Sequence, residues 1–128
     1  MMSDLYQEHI LDHYANPRNE GSLENPDIVA DGDNPSCGDK VHLEIILDKS
    51  GRVSQVAFQG EGCMVSMASA SIFTERVKGK SLAELESLTE DQVVGWLDVP
   101  VGDGRRRCAL APFEALQKGL KQHREQGQ

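Results

Sequence analysis

Three cysteines, Cys37, Cys63 and Cys108, and one carboxylate, Asp39, are the residues whose types and spacing suggest chemistry. The number of cysteines is odd, and they lie far apart along the chain. The opening Met1-Met2-Ser3-Asp4 lacks the basic and apolar stretches of an export signal. A disulfide framework is therefore not expected. The plain alternative is three thiols used as small hydrophobes in a core. Against it, each cysteine falls at an expected junction between elements. Cys37 lies in the turn Asn34-Pro35-Ser36-Cys37-Gly38-Asp39. Cys63 ends Gln59-Gly60-Glu61-Gly62-Cys63, where strand-like sequence becomes helix-like. Cys108 follows Arg105-Arg106-Arg107 and is expected to open the last helix. Loops held by a rigid scaffold are the usual carriers of function, and the glycines beside Cys37 and Cys63 allow tight bends there.

Three thiolates and one carboxylate supply four ligands. Thiolates suit zinc, copper(I) or iron–sulfur chemistry, and four ligands suit a tetrahedral site. Asp39, a harder oxygen donor, should loosen the grip on a soft metal, which suits a site that releases its cargo. At Cys108 the arginine run and an expected helix N-terminus both favour thiolate. Pro112 is tolerated only in a first turn, which puts the start of that helix near Ala109. Such a thiolate could ligate metal or attack a persulfide sulfur. The arginines could equally form a solvated patch that docks an acidic partner.

Other candidates are weaker. His9 and His13 stand one turn apart but have no third ligand nearby, so they are expected at the surface. His42 is expected to face away from the apolar side of its strand, and His123 lies in the tail. Met64 and Met67 read as core filler and Trp96 as a packing anchor.

The elements that must position these residues follow from periodicity. Ser3 can cap a helix striped by Tyr6, Ile10 and Tyr14, which Asn16-Pro17 ends. A short strand is expected near residues 28–31. Val41, Leu43, Ile45 and Leu47 alternate as a half-buried strand. After the Lys49-Ser50-Gly51 turn, residues 53–59 return with Val56 and Phe58 on one face. Residues 64–78 read as a helix stopped by Gly79. Ser81/Glu84 and Thr89/Gln92 match the capping box of two short helices. Residues 98–104 read as a loop. Phe113, Leu116 and Leu120 stripe a last helix, and residues 122–128 form a polar tail. Strands early and helices late predict one α+β domain over residues 1–128, its helices packed on one face of a small antiparallel sheet.

Composition limits the function. The chain has 128 residues, with 38% hydrophobic, 5% aromatic and 27% charged, which suits one compact domain with an aliphatic core. Its formal net charge of −8 argues against nucleic-acid binding, which needs a basic face. No apolar run approaches a membrane span. The chain is expected to be soluble and cytoplasmic.

These residues resemble the IscU/SufU-type iron–sulfur cluster assembly proteins of the NifU N-terminal domain family. Asp4-Leu5-Tyr6, His9-Ile10-Leu11-Asp12-His13-Tyr14 and Asn16-Pro17-Arg18-Asn19 resemble the family's opening. The segments around Cys37 and Asp39, Gly60-Glu61-Gly62-Cys63 with Ser66-Met67-Ala68-Ser69-Ala70-Ser71, and Arg107-Cys108-Ala109 resemble its three ligand segments, in order. The resemblance implies a SufE/NifU-like α+β fold with a three-stranded antiparallel sheet and the cysteines gathered at one end. It implies a scaffold that takes sulfur from a cysteine desulfurase, with Cys37 and Cys108 as candidate persulfide acceptors. It further implies a transient [2Fe–2S] cluster on Cys37, Asp39, Cys63 and Cys108, passed on to apo iron–sulfur proteins, or Zn²⁺ at the same ligands. The alternative within the resemblance is a zinc-dependent SufU-like sulfur acceptor.

Two features depart from the family's subtypes. IscU-type members have histidine before the third cysteine and a Leu-Pro-Pro-Val-Lys chaperone motif upstream. Here Arg107 and Asp98-Val99-Pro100-Val101-Gly102 occupy those places, which argues against a dedicated Hsp70 chaperone. SufU-type members share the basic residue but carry an insertion between the second and third cysteines, whereas only 44 residues lie between Cys63 and Cys108.

Overall fold

The computed structural model describes residues 8–34 and 38–126. Cys37 falls outside the described residues, as do Ser3, Tyr6 and the rest of the first seven.

The first described element is α1 (Glu8–Ala15). Three strands follow, β1 (Ile28–Asn34), β2 (Asp39–Leu47) and β3 (Val53–Glu61). They form an antiparallel sheet in the order β1-β2-β3. Side chains alternate between faces along each strand. Ile28 and Ala30 of β1, Val41, Leu43 and Ile45 of β2, and Val56 and Phe58 of β3 are all buried, and they align through the pairs Ile28↔Ile45, Ala30↔Leu43, Ile45↔Val56 and Leu43↔Phe58. This row is the core face. His42 lies on the opposite face, as expected, between Asp31 and Glu44 at 2.7 and 2.9 Å.

The helices are α2 (Met64–Val77), α3 (Leu82–Glu86), α4 (Glu90–Gly95), α5 (Asp103–Ala109) and α6 (Ala111–Gln126). α6 lies on β1 and β2, while α2 lies on β3. The approach of α6 depends on small residues: a Cβ added at Gly119 would meet the Ala30 Cβ at 2.5 Å. α1 and α5 pack on α2, so Ile10, Leu97, Val99, Cys108 and Ala109 build a second cluster with Val65, Ala68 and Ile72 of α2. α2 is thus buried nearly all round. This explains why it has no polar stripe and why Ser66, Ser69, Ser71 and Thr74 are buried polar groups.

Several local expectations hold. Gly79, at φ +85°, follows α2. Ser81 with Glu84 and Thr89 with Gln92 both form complete capping boxes. Trp96 packs at 5.8 Å from Phe73, and Met67 is partly buried against the core.

Three expectations need correction. Residues 103–104 are not loop but the start of α5. α6 continues to Gln126, so residues 122–126 are helical rather than a loose tail. His9 and His13 are not free at the surface. His9 Nε2 contacts the Leu97 carbonyl at 2.5 Å, and His13 Nδ1 contacts Ser71 Oγ at 2.7 Å. Both are polar ties that fix α1 across the second cluster, which a one-dimensional pattern cannot distinguish from solvated histidines.

Candidate metal centre

Asp39 opens β2, Cys63 is the N-cap of α2, and Cys108 lies one residue before the end of α5. The β2–β3 pairing, beginning Lys40↔Glu61, brings the start of β2 beside the end of β3. The chain then turns at Gly62 into α2. α5 reaches the same place because Ser69 of α2 donates to the Ala109 carbonyl at 2.5 Å. One ligand atom from each of Asp39, Cys63 and Cys108 lies within 4.8 Å of the other two. Three positions spread over 70 residues of chain therefore converge at one end of the fold.

Asp39 is fully buried, and its two oxygens differ. Oδ1 accepts the Cys63 backbone N–H at 3.1 Å and the Ser66 hydroxyl at 3.0 Å. Oδ2 is buried without a hydrogen-bond partner among the described residues. A buried carboxylate oxygen left unpaired is costly. Because one oxygen of this carboxylate lies within 4.8 Å of both sulfurs, a cation held by the three residues would satisfy it. The donor set, two sulfurs and a carboxylate oxygen, suits zinc or iron in a thiolate-rich site.

The two sulfurs also differ. Burial pushes the half-buried Cys63 thiol up, but the backbone N–H and hydroxyl of Ser66, with the Cys108 S–H, outweigh it and hold Cys63 below the usual thiol range. Its position at the N-terminus of a 14-residue helix favours thiolate further. Cys108 behaves oppositely. Burial pushes its thiol far up, and the neighbouring Cys63 sulfur and Asp39 carboxyl push the same way. The expectation of an activated Cys108 thiolate is therefore corrected. Cys108 does not open the last helix; it sits in the final turn of α5, at the negative end of that helix dipole, and only 1% of it is exposed. Pro112 does fall in the first turn of α6, but a separate short helix precedes it.

The arginine run is divided rather than pooled. Arg105 points its charge at the sulfurs, and Cys63 first, then Cys108, stabilise its charged form. Arg106 pairs with Asp91 at 2.8 Å and Glu90 at 3.6 Å. Sequence reasoning singled out Arg107, the immediate neighbour of Cys108. Arg105 lies one helical turn earlier, and the i, i+3 spacing within α5 is the signal that could have found it. Ser66 was also missed as a site residue. Its place three residues after an N-cap, where capping partners sit, was the available clue.

The fold and site match known proteins over almost the whole chain. A profile of the NifU-like N terminal domain family matches residues 5–128. The chain belongs to that family. Among its relatives, this NifU-like domain is 38% identical to the "Zinc-dependent sulfurtransferase SufU" of Bacillus subtilis, covering 93% of this chain and 91% of the relative. It is 35% identical to the "Iron-sulfur cluster assembly scaffold protein IscU" of Haemophilus influenzae, covering 93% and 95%. The solved structure of a putative SUF-system scaffold from Fervidobacterium islandicum superposes with TM-score 0.75 at 29% identity, covering 91% of this chain and 96% of that one. The alignment to the Bacillus relative spans 136 positions, more than the 128 residues available here, so that relative carries residues that this NifU-like domain lacks. No helix among the described residues is long and apolar enough to cross a membrane.

Proposed function

We propose that this NifU-like domain, read as one domain over residues 1–128, is a cytoplasmic iron–sulfur cluster assembly scaffold rather than an enzyme. It receives persulfide sulfur from a cysteine desulfurase. An external thiol or electron-carrier reductant supplies the two electrons that turn each sulfane sulfur into sulfide. The domain gathers that sulfide with iron as a [2Fe–2S] cluster and passes the cargo to apoproteins. Cys37, Asp39, Cys63 and Cys108 are the ligands in this reading. The observation that carries it is the buried carboxylate of Asp39, whose Oδ2 has no partner among the described residues and one of whose oxygens lies within 4.8 Å of the Cys63 and Cys108 sulfurs. Such an arrangement is poorly satisfied without a cation. The match to named IscU scaffolds over more than nine-tenths of both chains supports the same reading.

Sulfur enters by exchange at a thiolate. The acceptor attacks the terminal sulfur of the desulfurase persulfide, a new S–S bond forms as the old one breaks, and the desulfurase cysteine leaves as thiolate. Of the two acceptors expected from sequence, the buried and protonated Cys108 is the poorer. Cys37 is therefore the acceptor in this proposal. Partners other than desulfurase and apoproteins are not part of it: the acidic balance disfavours nucleic acid, and the absence of the Leu-Pro-Pro-Val-Lys motif disfavours a dedicated Hsp70.

A second reading, a zinc-dependent sulfur acceptor, is favoured by the SufU relative and by Arg105 beside the sulfurs. One experiment separates the two. The protein is incubated anaerobically with iron, cysteine and a desulfurase, then followed by visible absorption and by transfer to an apo-ferredoxin. Cluster formation and transfer support the scaffold. Stimulated desulfurase turnover with zinc retained and no cluster supports the acceptor.

A further inference from the structure

We infer that Ser66 is a positioning residue that holds Asp39 as a one-oxygen ligand, keeping Oδ1 turned to the helix and Oδ2 turned to the bound cation. The inference rests on the metal-site reading above and goes beyond it by assigning what sets the carboxylate's orientation and its ease of release.

Three contacts define the arrangement. Ser66 is fully buried, and its hydroxyl reaches Asp39 Oδ1 at 3.0 Å. The Cys63 N–H reaches the same oxygen at 3.1 Å. Gly62 leaves the space: a Cβ there would meet Ser66 Oγ at 2.5 Å and would collide with Asp39 Oδ1. Both donors belong to the start of α2, whose positive end faces the carboxylate. With Oδ1 committed to two donors, chelation by both oxygens would break both hydrogen bonds. The carboxylate therefore offers Oδ2 alone.

The hydroxyl has a competing use that makes this clamp adjustable. Ser66 Oγ also lies 2.9 Å from the Cys63 carbonyl. It has one hydrogen to give, so its proton is shared among the helix carbonyl, the carboxylate and the Cys63 sulfur 3.7 Å away. When it turns to the carbonyl, Asp39 keeps only the Cys63 N–H and can swing. An oxygen ligand with such a latch can let go while the sulfurs still hold, a property useful in a site that hands its cargo onward.

The test uses the full chain, with zinc affinity measured by chelator competition and coordination read from the visible spectrum of the Co²⁺-loaded protein. Wild type, Ser66→Ala, Asp39→Ala and the double variant are compared, with folding checked by circular dichroism. Groups that orient metal ligands typically contribute about 10- to 100-fold in metal affinity. Ser66→Ala should weaken zinc by about tenfold and shift the Co²⁺ bands, and it should have no further effect once Asp39 is alanine. Equal affinity and spectrum in wild type and Ser66→Ala would overturn the inference while leaving the metal site intact. The same loss in the Asp39→Ala background would also overturn it, since Ser66 would then act through the helix or the Cys63 sulfur. If the wild type takes up neither zinc nor Co²⁺, the site reading itself fails, and this inference with it. The asymmetric carboxylate stretch, taken as the infrared difference between wild type and Asp39→Asn without metal, is a second readout. It should move in Ser66→Ala, and an unchanged band would count against the clamp.

Discussion

Ser69 Oγ and the Ala109 carbonyl meet at 2.5 Å, both buried, and this hydrogen bond ties the middle of α2 to the end of α5. Cys63 begins the one helix and Cys108 nearly ends the other. The distance between the two sulfurs is therefore governed by a contact that neither cysteine makes. Removing the hydroxyl leaves a buried carbonyl without its donor, which costs about 1–3 kcal/mol. Ser69→Ala should lower unfolding stability in urea by that amount and weaken zinc binding as well. A stability loss with unchanged zinc affinity would show that α5 keeps its place without the tie.

Gly62→Ala tests the space around Asp39. The added methyl must displace Asp39 or Ser66, since its Cβ would meet Ser66 Oγ at 2.5 Å. Overpacking of this kind costs about 1–3 kcal/mol. The expected outcome is a folded protein by circular dichroism with zinc content, by elemental analysis, well below that of wild type. Full metal loading in Gly62→Ala would contradict the described geometry.

Metal uptake should depend on pH through Cys108. Burial, together with Cys63 and Asp39, keeps that thiol protonated in the metal-free protein, while ligation requires thiolate. Binding must therefore expel the proton, and apparent affinity should rise as pH rises. Calorimetry in buffers of different ionisation enthalpy measures the protons released. Zinc binding that releases no protons at pH 7 would refute the assignment.

His42 should give a stability trend with the opposite sign to acid-labile carboxylates. Burial pushes its pKa down, but the hydrogen-bonded carboxylates of Glu44 and Asp31 outweigh this and leave it above 6.5. A raised folded-state pKa means stabilisation that is complete below 6.5 and is lost as pH rises through the folded value. His42→Gln should therefore cost more stability at pH 6 than at pH 8, as measured by urea titration. A cost that is the same at both pH values would show that the ring is not charged in the fold.

His13 should work the other way. Burial first, then Arg18, lowers its pKa, so its neutral ring between Ser71 and Glu75 is favoured by the fold. Stability from that contact is present above 6.5 and is lost as pH falls through the lowered folded value. Substituting His13→Asn should flatten the decline of stability between pH 7 and pH 5. A decline left as steep would assign the acid sensitivity to other groups.

Much of this architecture is written in local sequence. The alternation of Val41, Leu43 and Ile45, the Ser81/Glu84 and Thr89/Gln92 capping boxes, and the stop at Gly79 each depend on residues within a few positions of one another. Such signals survive without knowledge of the rest of the chain. Asp39, Cys63 and Cys108 are legible as candidate donors for a similar reason: their types carry metal chemistry, and turn residues surround the first two.

Residue types and near-neighbour spacing by themselves determined the strands, most of the helices, the α+β class and the candidate donors. Tertiary packing alone decided that Cys108 is a buried thiol at the wrong end of a short helix for activation, that Arg105 faces the sulfurs, and that Ser66 bonds one of the two oxygens of Asp39. The reason is physical. Burial, dipole direction and the partner of a hydrogen bond are set by elements that meet across the fold, and no window of adjacent residues contains them.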